Sequence, residues 1–320
     1  MIRRSPQKTA LLMAGVLFLL FLLQFILPAY HHSTFSKIMV LASYAMGFNI
    51  LLGYTGLMSL GHAMFFSTGM YVTGISVYHY GFSGVPALAV GVLGAFIVSM
   101  VLGMVALRTS GVSFLIVTLM FGQTVFLSVL YFDQLTLGQD GFTLTKQLEP
   151  LVFGSTSFSY SDPSVKYNAA WILFALCLVV TNFLVLSPIG RVLIAIRENE
   201  ERTQMLGYNT YLYKLFAMTL SGTISGMAGS VHALLFSYVG STFAEIHHSI
   251  APLLWTLLGG VGTTLGPLFG TGIMHYLIDF TSEWTSAYLL IVGVILVLLV
   301  ILAPQGLMGM VRQKKLPWLP

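Results

Sequence analysis

The sequence predicts an all-α polytopic membrane protein, with about eight transmembrane helices, a broken or re-entrant helix pair and a short amphipathic helix at one membrane face. Three observations predict it. Hydrophobic residues fill 57% of the 320 positions and charged residues 8%, at a mean hydropathy of +0.89, whereas a soluble domain carries roughly 25% charged residues. Apolar runs recur along the whole chain, and about 20 apolar residues cross the ~30 Å of bilayer hydrocarbon as helix. The few charges are bunched. Of 14 basic and 10 acidic residues, seven fall within residues 187–214: Arg191, Arg197, Glu198, Glu200, Glu201, Arg202 and Lys214. Each would cost roughly 2.5–3.5 kcal/mol at a bilayer centre, so this stretch lies in water.

The predicted spans are 10–28, 38–52, 63–78, 85–107, 112–132, 169–186, 215–237 and 288–303, the second and third being short. Residues 250–280 are too long for one straight helix and are interrupted by GGVGTTLGP at 259–267. The positive-inside bias sets the orientation. With a cytoplasmic N-terminus, Arg3, Arg4, Lys8, Arg108, the basic residues of 187–214, Arg312, Lys314 and Lys315 fall inside, and only Lys37, Lys146 and Lys166 fall outside. That assignment holds only if 250–280 enters from outside and returns there, as two half-helices meeting near 259–267. The formal charge of +4 follows from these flanks, and a lipid-facing surface accounts for it without nucleic acid. The first run follows Arg3 and Arg4 like a signal peptide, but it lacks a small-residue cleavage site and is long enough to span; it is expected to be a retained helix. The chain is expected to form a single transmembrane domain over 1–320, with an external loop at 133–168 and a cytoplasmic loop at 187–214.

Taken in order, His31 and His32 read as a short external turn, two adjacent imidazoles being too few for a metal site. Across 49–66, Asn49 is followed by Gly53, Gly56, Ser59, Gly61 and His62, which break the apolar pattern at what should be membrane depth. Irregular backbone there is either buried in protein or lines a wet cavity. The segment therefore either faces a translocation path or packs helices tightly through small residues, and His62 is either a pathway residue or an interhelical hydrogen-bonding one. Gly91, Gly94 and Gly103 permit close helix approach in the fourth span. Gln123 is expected to meet Asn49 or Asn182 across the bundle. The external loop 133–168 is too long for a bare connector and reads as a docking surface, or as a solvated loop with one short helix.

In 187–214, Ser187 followed by Pro188 is an N-cap with proline at the first helical position, and Gly207 then Asn209 is a left-handed stop. Arg197 with Glu201, and Glu198 with Arg202, are i,i+4 opposite-charge pairs. Val192, Ala195, Ile196, Met205 and Leu206 can form an apolar stripe, giving one or two amphipathic helices across the cytoplasmic mouth. Gly222, Gly226 and Gly229 in the seventh span are a close-approach motif. The break containing Gly260, Gly262 and Thr263 lacks the lysine of a phosphate-binding loop; it is either a structural turn or a pair of helix termini facing a solute. No Asp, Glu, Lys or Arg lies well inside any predicted span, and no nucleotide motif, metal cluster or catalytic constellation is visible. Any energy for transport must come from outside this chain.

GYTGLMSLGHAMFF at 53–66, GRVLIAIRENEERTQMLGYN at 190–209 with YKL at 213–215, GGVGTTLGPLFG at 259–270 and PQGLMG at 304–309 together resemble the permease subunit of bacterial branched-chain amino-acid ABC importers, more narrowly its M-type. The resemblance covers most of 40–309. It implies a multi-pass inner-membrane subunit with both termini cytoplasmic, paired with an H-type permease, two cytoplasmic ATPases and a periplasmic binding protein. No cofactor would be bound by this chain, and ATP and Mg would be held by the ATPases. It further implies that Arg191, Ile196, Arg197, Glu198, Asn199, Glu200, Arg202, Leu206 and Gly207 form the ATPase-coupling region, and that 133–168 receives the binding protein. Related permeases carry urea, short amides or other amino acids, so the alternatives on substrate stay open. A facilitative channel or secondary transporter is the alternative from outside the family.

Overall fold

The computed structural model describes residues 6–148, 151–153, 156–160, 162–285, 287–303 and 305–314. The expectations placed on Arg3, Arg4, Pro304 and Lys315, and on residues 149–150, 154–155 and 161 of the 133–168 loop, lie outside them. In chain order the helices are α1 (Pro6–Ile26), α2 (Ala29–Asn49), α3 (Ala63–Tyr78), α4 (Gly84–Ala106), α5 (Gly111–Tyr131), the one-turn α6 (Asp133–Thr136), α7 (Pro163–Leu186), α8 (Pro188–Glu198), α9 (Glu200–Met205), α10 (Thr210–Phe236), α11 (Ile246–Gly259), α12 (Gly266–Trp284), α13 (Tyr288–Leu302) and α14 (Gly306–Lys314). Each of the eight predicted spans is a helix, and among the described residues five stretches are long and apolar enough to cross a membrane by themselves: Lys8–Ile26, Tyr30–Thr55, Gly84–Ala106, Gly111–Tyr131 and Pro163–Leu186. The protein is therefore an all-α, multi-pass membrane protein.

Helix α10 is the centre of the bundle and packs on α2, α3 and α4. The reason is its run of small residues. A Cβ on Gly226 would overlap Ala95, one on Gly229 would overlap the Phe66 carbonyl, and one on Gly69 would overlap the Gly226 carbonyl. Between apolar helices in lipid, such backbone approach supplies the van der Waals contact that holds a bundle together. Gly91 of α4 faces Thr73 and Ser230 in the same way.

The second span differs most from expectation. It begins at Ala29, not 38, and after Asn49 continues as a π-helix over Ile50–Thr55 that stops at Gly56, φ 78°. His31 and His32 are thus helical, not a turn. His32 Nε2 lies 2.7 Å from the Gln24 carbonyl and His31 Nδ1 lies 3.2 Å from the Tyr276 hydroxyl, so α1 and α12 satisfy polar groups that a sequence reading sends to water. The same shift places Lys37 within α2 rather than in a connection before it.

Helices α11 and α12 form the expected broken pair. Thr256 Oγ1 donates to Ala45 O at 3.5 Å and Tyr44 Oη donates to His248 O at 2.9 Å, so α11 runs alongside α2 in the same direction. The break between them lies beside Arg197 and Arg312, whose Nη1 donates to Gly262 O at 3.4 Å. Its location is therefore the charged end of the bundle, next to α8, α9 and α14.

The segment 133–162 contributes α6 and two small antiparallel pairings. β1 (Phe142–Thr143) pairs with β4 (Tyr238–Val239), and β2 (Leu151–Phe153) pairs with β3 (Thr156–Phe158). Strands this short leave no alternating pattern to read. β1 and the Leu144 N–H bond to Ser237 O at 2.9 Å pin the loop onto the end of α10.

Candidate functional site

Asn49 organises the charged end. Its Nδ2 donates to Thr263 O and its Oδ1 accepts from Gly262 N, both at 2.9 Å, and the side chain is fully buried. Gly260 (φ 120°) and Gly262 (φ 71°) supply left-handed backbone, and Thr263 Oγ1 donates to Gly260 O at 2.7 Å. Gly53 packs against Gly262 so closely that a Cβ would reach its backbone. Asn49, Gly53, Gly260, Gly262 and Thr263, predicted separately, thus meet at one place. The Gly260, Gly262 and Thr263 backbone groups of the break are thus bonded to protein, while Thr264 Oγ1 is buried without a partner. Gln123 does not meet Asn49, whose amide is committed to the break, and Asn182 Oδ1 is buried without a partner.

Replacing Asn49 with Leu strands a buried N–H and a buried carbonyl, each costing about 1–3 kcal/mol. The expected result is a lower thermal unfolding midpoint in detergent, with Gln123→Leu, which leaves the clamp intact, as the comparison.

Ser59, Gly61 and His62 belong to a second cluster. Between Gly56 and His62 the chain runs irregularly past α5: Leu60 N donates to Thr118 Oγ1 at 3.3 Å, and Gly61 fits against the Thr118 carbonyl and Gly122. His62 is fully buried, with Nε2 2.9 Å from Ser225 Oγ and 3.3 Å from Ser221 Oγ. Tyr44, Phe48 and Phe65 surround its ring. Ser59, Gly61 and His62 are thus buried in protein, one of the two situations in which irregular backbone survives in a bilayer, while Gly56 at the start of the segment is exposed.

The charged loop is built as its caps dictate. Ser187 Oγ accepts from Gly190 N at 3.2 Å, opening α8. Asn199 interrupts the helix with extended backbone (φ −161°) and caps α9 by accepting from Arg202 N at 2.8 Å. This break removes the i,i+4 spacing expected of Arg197–Glu201 and Glu198–Arg202. Gly207 (φ 88°) stops α9, while Asn209 serves as the N-cap of α10, accepting from Leu212 N. The apolar stripe is split: Val192, Leu193 and Ile196 face the bundle, whereas Met205 and Leu206 stand 85% and 71% exposed.

Three charges of the loop, Arg197, Glu200 and Lys214, engage the bundle. Arg197 Nη1 donates to Gly53 O and lies against Gly56 and Gly262, joining α8 to both irregular segments. Glu200 pairs with Lys214 at 2.6 Å and accepts from Thr210 Oγ1, tying α9 to the first turn of α10. Arg197 is nonetheless exposed over part of its side chain, as are Arg191, Glu198, Asn199, Arg202, Leu206 and Gly207, and beside them a polar depression runs between α9 and the α4–α5 turn at Arg108–Ser110. The Lys214 side chain is 8% exposed and that of Glu200 35%. Glu200→Gln therefore leaves a largely buried ammonium, at about 1–3 kcal/mol, below the 3–5 kcal/mol of a fully buried pair. Faster proteolysis within 200–209 is the expected readout.

Among the described residues no three His, Cys, Asp or Glu side chains come together as a metal site. The site is thus a multi-pass helical bundle with a capped, charged loop joined to two backbone breaks. Residues 32–303 match the family described as "Branched-chain amino acid transport system / permease component". The chain belongs to that family, as a transport component and not an enzyme. It is 30% identical over 290 residues to the high-affinity branched-chain amino acid transport system permease protein LivM of Escherichia coli K12, covering 83% of this chain and 67% of the relative. It is 24% identical over 279 residues to LivH, the corresponding permease protein of Salmonella typhimurium, covering 83% and 90%. A probable LivM of Methanocaldococcus jannaschii is 29% identical over 158 residues, covering 43% and 45%. No solved structure matches the chain.

Proposed function

We propose that this chain is the M-type permease subunit of an ABC importer, forming half of the translocation pathway for branched-chain amino acids. Its likeness to both LivM and LivH supports pairing with a related H-type subunit. Two cytoplasmic ATPases would drive the cycle, with ATP and Mg on those partners, and a periplasmic binding protein would deliver the solute to the end formed by 133–162. The membrane is the bacterial inner membrane. The charged end, with α8, α9 and α14, faces the cytoplasm because the positive-inside bias of the sequence assigns eleven of 14 basic residues to that side.

The observation that carries the reading is Arg197. It sits on an exposed, amphipathic helix but donates into the bundle at Gly53, where the breaks at 53–56 and 260–263 meet. Motion imposed on the exposed face, Arg191, Glu198, Arg202, Met205 and Leu206, would pass through Ile196 and Arg197 to those breaks. The polar face suits a protein groove: it mixes both charge signs around exposed apolar side chains, where anionic lipid would favour uniformly basic residues.

Purification in mild detergent is expected to retain an ABC ATPase and a second permease, and the associated binding protein is expected to bind leucine, isoleucine or valine. Recovery without an ATPase overturns the importer reading. A binding protein that takes urea or amides but not these amino acids overturns the substrate.

A further inference from the structure

Residues 237–244 lie across the end of the bundle formed by 133–162 and are fastened to that loop. Phe142 pairs with Val239 and Thr143 with Tyr238, Leu144 N donates to Ser237 O at 2.9 Å, and Ser241 Oγ donates to Gln139 O at 3.5 Å. Among the described residues no backbone hydrogen bond ties 238–244 to α3, so on that side the strap is held by side chains. Val239 sits over Gly74, where a Cβ would lie 2.6 Å from its Cγ2. Leu137 (φ 55°) and Ser237 (φ 51°), one in each arm of the junction, are the non-glycine residues with left-handed backbone among those described. Backbone of this kind costs energy and collects at switch segments.

The single turn Ser241–Ala244 carries Phe243 inward. Its ring centroid lies 4.7 Å from that of His232 on α10, 5.2 Å from His248 on α11 and 6.0 Å from Phe66 on α3. Phe243 and His248 are half-buried, His232 and Phe66 are buried, and Thr242, Ile246 and His247 beside them are exposed. The rings therefore stand where the outer surface gives way to the interior. Inward of them Tyr44 stacks on His248 and on His62, with centroids 5.3 and 5.9 Å apart, and His62 leads through Ser221 to the Gly47 carbonyl, close to Asn49. Along this line His232 Nδ1, His248 Nε2 and His62 Nδ1 are buried without a hydrogen-bond partner. Stranded polar atoms are costly, and an arrangement with the rings apart would let water reach them.

We propose that 237–244 is the outer gate of the pathway, a strap with Phe243 as its plug, and that 137–144 is the handle by which a docked binding protein lifts it. The proposal rests on the importer reading above and adds to it where the path is closed and what opens it. Loop and strap move as one piece, because ladder and turn bonds join them. Phe243 and Val239 can part from the rings and from Gly74 without breaking a backbone hydrogen bond to α3.

The test is a pair of disulfides in the complete importer, read as labelled leucine uptake into proteoliposomes. Gly74→Cys with Val239→Cys bolts the strap to α3, the contact at Gly74 being close enough for the roughly 3.5–4.5 Å Cβ separation of a disulfide. Oxidation of this pair is expected to lower uptake tenfold or more, and reduction to restore it. Thr143→Cys with Tyr238→Cys, a cross-strand pair, bolts the strap to its handle, and its oxidised and reduced forms are expected to agree within twofold. The native Cys177 is buried and stays out of reach. A third variant, Phe243→Cys, decides the matter even if Gly74→Cys prevents assembly. Its modification by a membrane-impermeant thiosulfonate is expected to quicken at least fivefold when leucine-loaded binding protein is added to the importer. Undiminished uptake by the oxidised Gly74→Cys, Val239→Cys importer overturns the gate, as does a Phe243→Cys modification rate that the binding protein leaves unchanged. Loss of uptake on oxidising the Thr143→Cys, Tyr238→Cys pair overturns the joint movement of loop and strap. Absence of leucine uptake by the unsubstituted assembly is a separate result, overturning the amino-acid reading itself.

Discussion

Arg197→Ala is expected to lower ATP-driven uptake at least tenfold while ATP hydrolysis by the attached ATPases stays within twofold. A hydrogen bond to a charged group contributes about 1.5–3 kcal/mol, and each 1.36 kcal/mol in a barrier is tenfold in rate. The bond from Arg197 to the Gly53 carbonyl links α8 to the point where α2 ends and the α11–α12 break begins. Removing it leaves α8 anchored by Val192, Leu193 and Ile196, which are buried, so the ATPases should still bind. What is lost is the polar link between the moving surface and the breaks. Arg197→Lys should recover part of the uptake, because an ammonium can reach the carbonyl but lacks the planar fork of the guanidinium. Uptake and hydrolysis falling together would assign Arg197 to ATPase binding instead.

Gly229→Val is expected to abolish recovery of assembled protein. The overlap would be with the backbone carbonyl of Phe66, which cannot swing aside as a side chain can. Overpacking ordinarily costs about 1–3 kcal/mol and sometimes more; here α3 and α10 would have to separate along a seam that also includes Gly69 and Gly226. Gly293→Val in α13, where a Cβ meets nothing within 4 Å, should assemble normally. The measurement is the monodisperse fraction on size-exclusion chromatography.

Much of the fold was legible because bilayer thickness forces long apolar runs, and a run of that length reads the same in any context. Helices α3, α4 and α5 begin and end within a residue of expectation. The errors fell where tertiary partners replace water. His31 and His32 look like a turn until α1 and α12 supply their hydrogen bonds, and that misreading started α2 after Lys37 rather than at Ala29. The loop caps at Ser187 and Gly207 were visible because capping is local chemistry. The inward use of Arg197 and Glu200 was not, since it depends on Gly53 and Lys214, distant in sequence or one helix away. Asn49 was singled out as polar in an apolar run, but its partner lies over 200 positions on, beyond any local pattern.

The central claim is that this chain conducts solute only as a passive half of an ATP-driven assembly. Labelled leucine flux into proteoliposomes tests it most directly, comparing the purified chain alone with the complete importer, each with and without ATP on the ATPase side. The account predicts accumulation only in the complete assembly with ATP. Flux through the chain alone, indifferent to ATP, would contradict it.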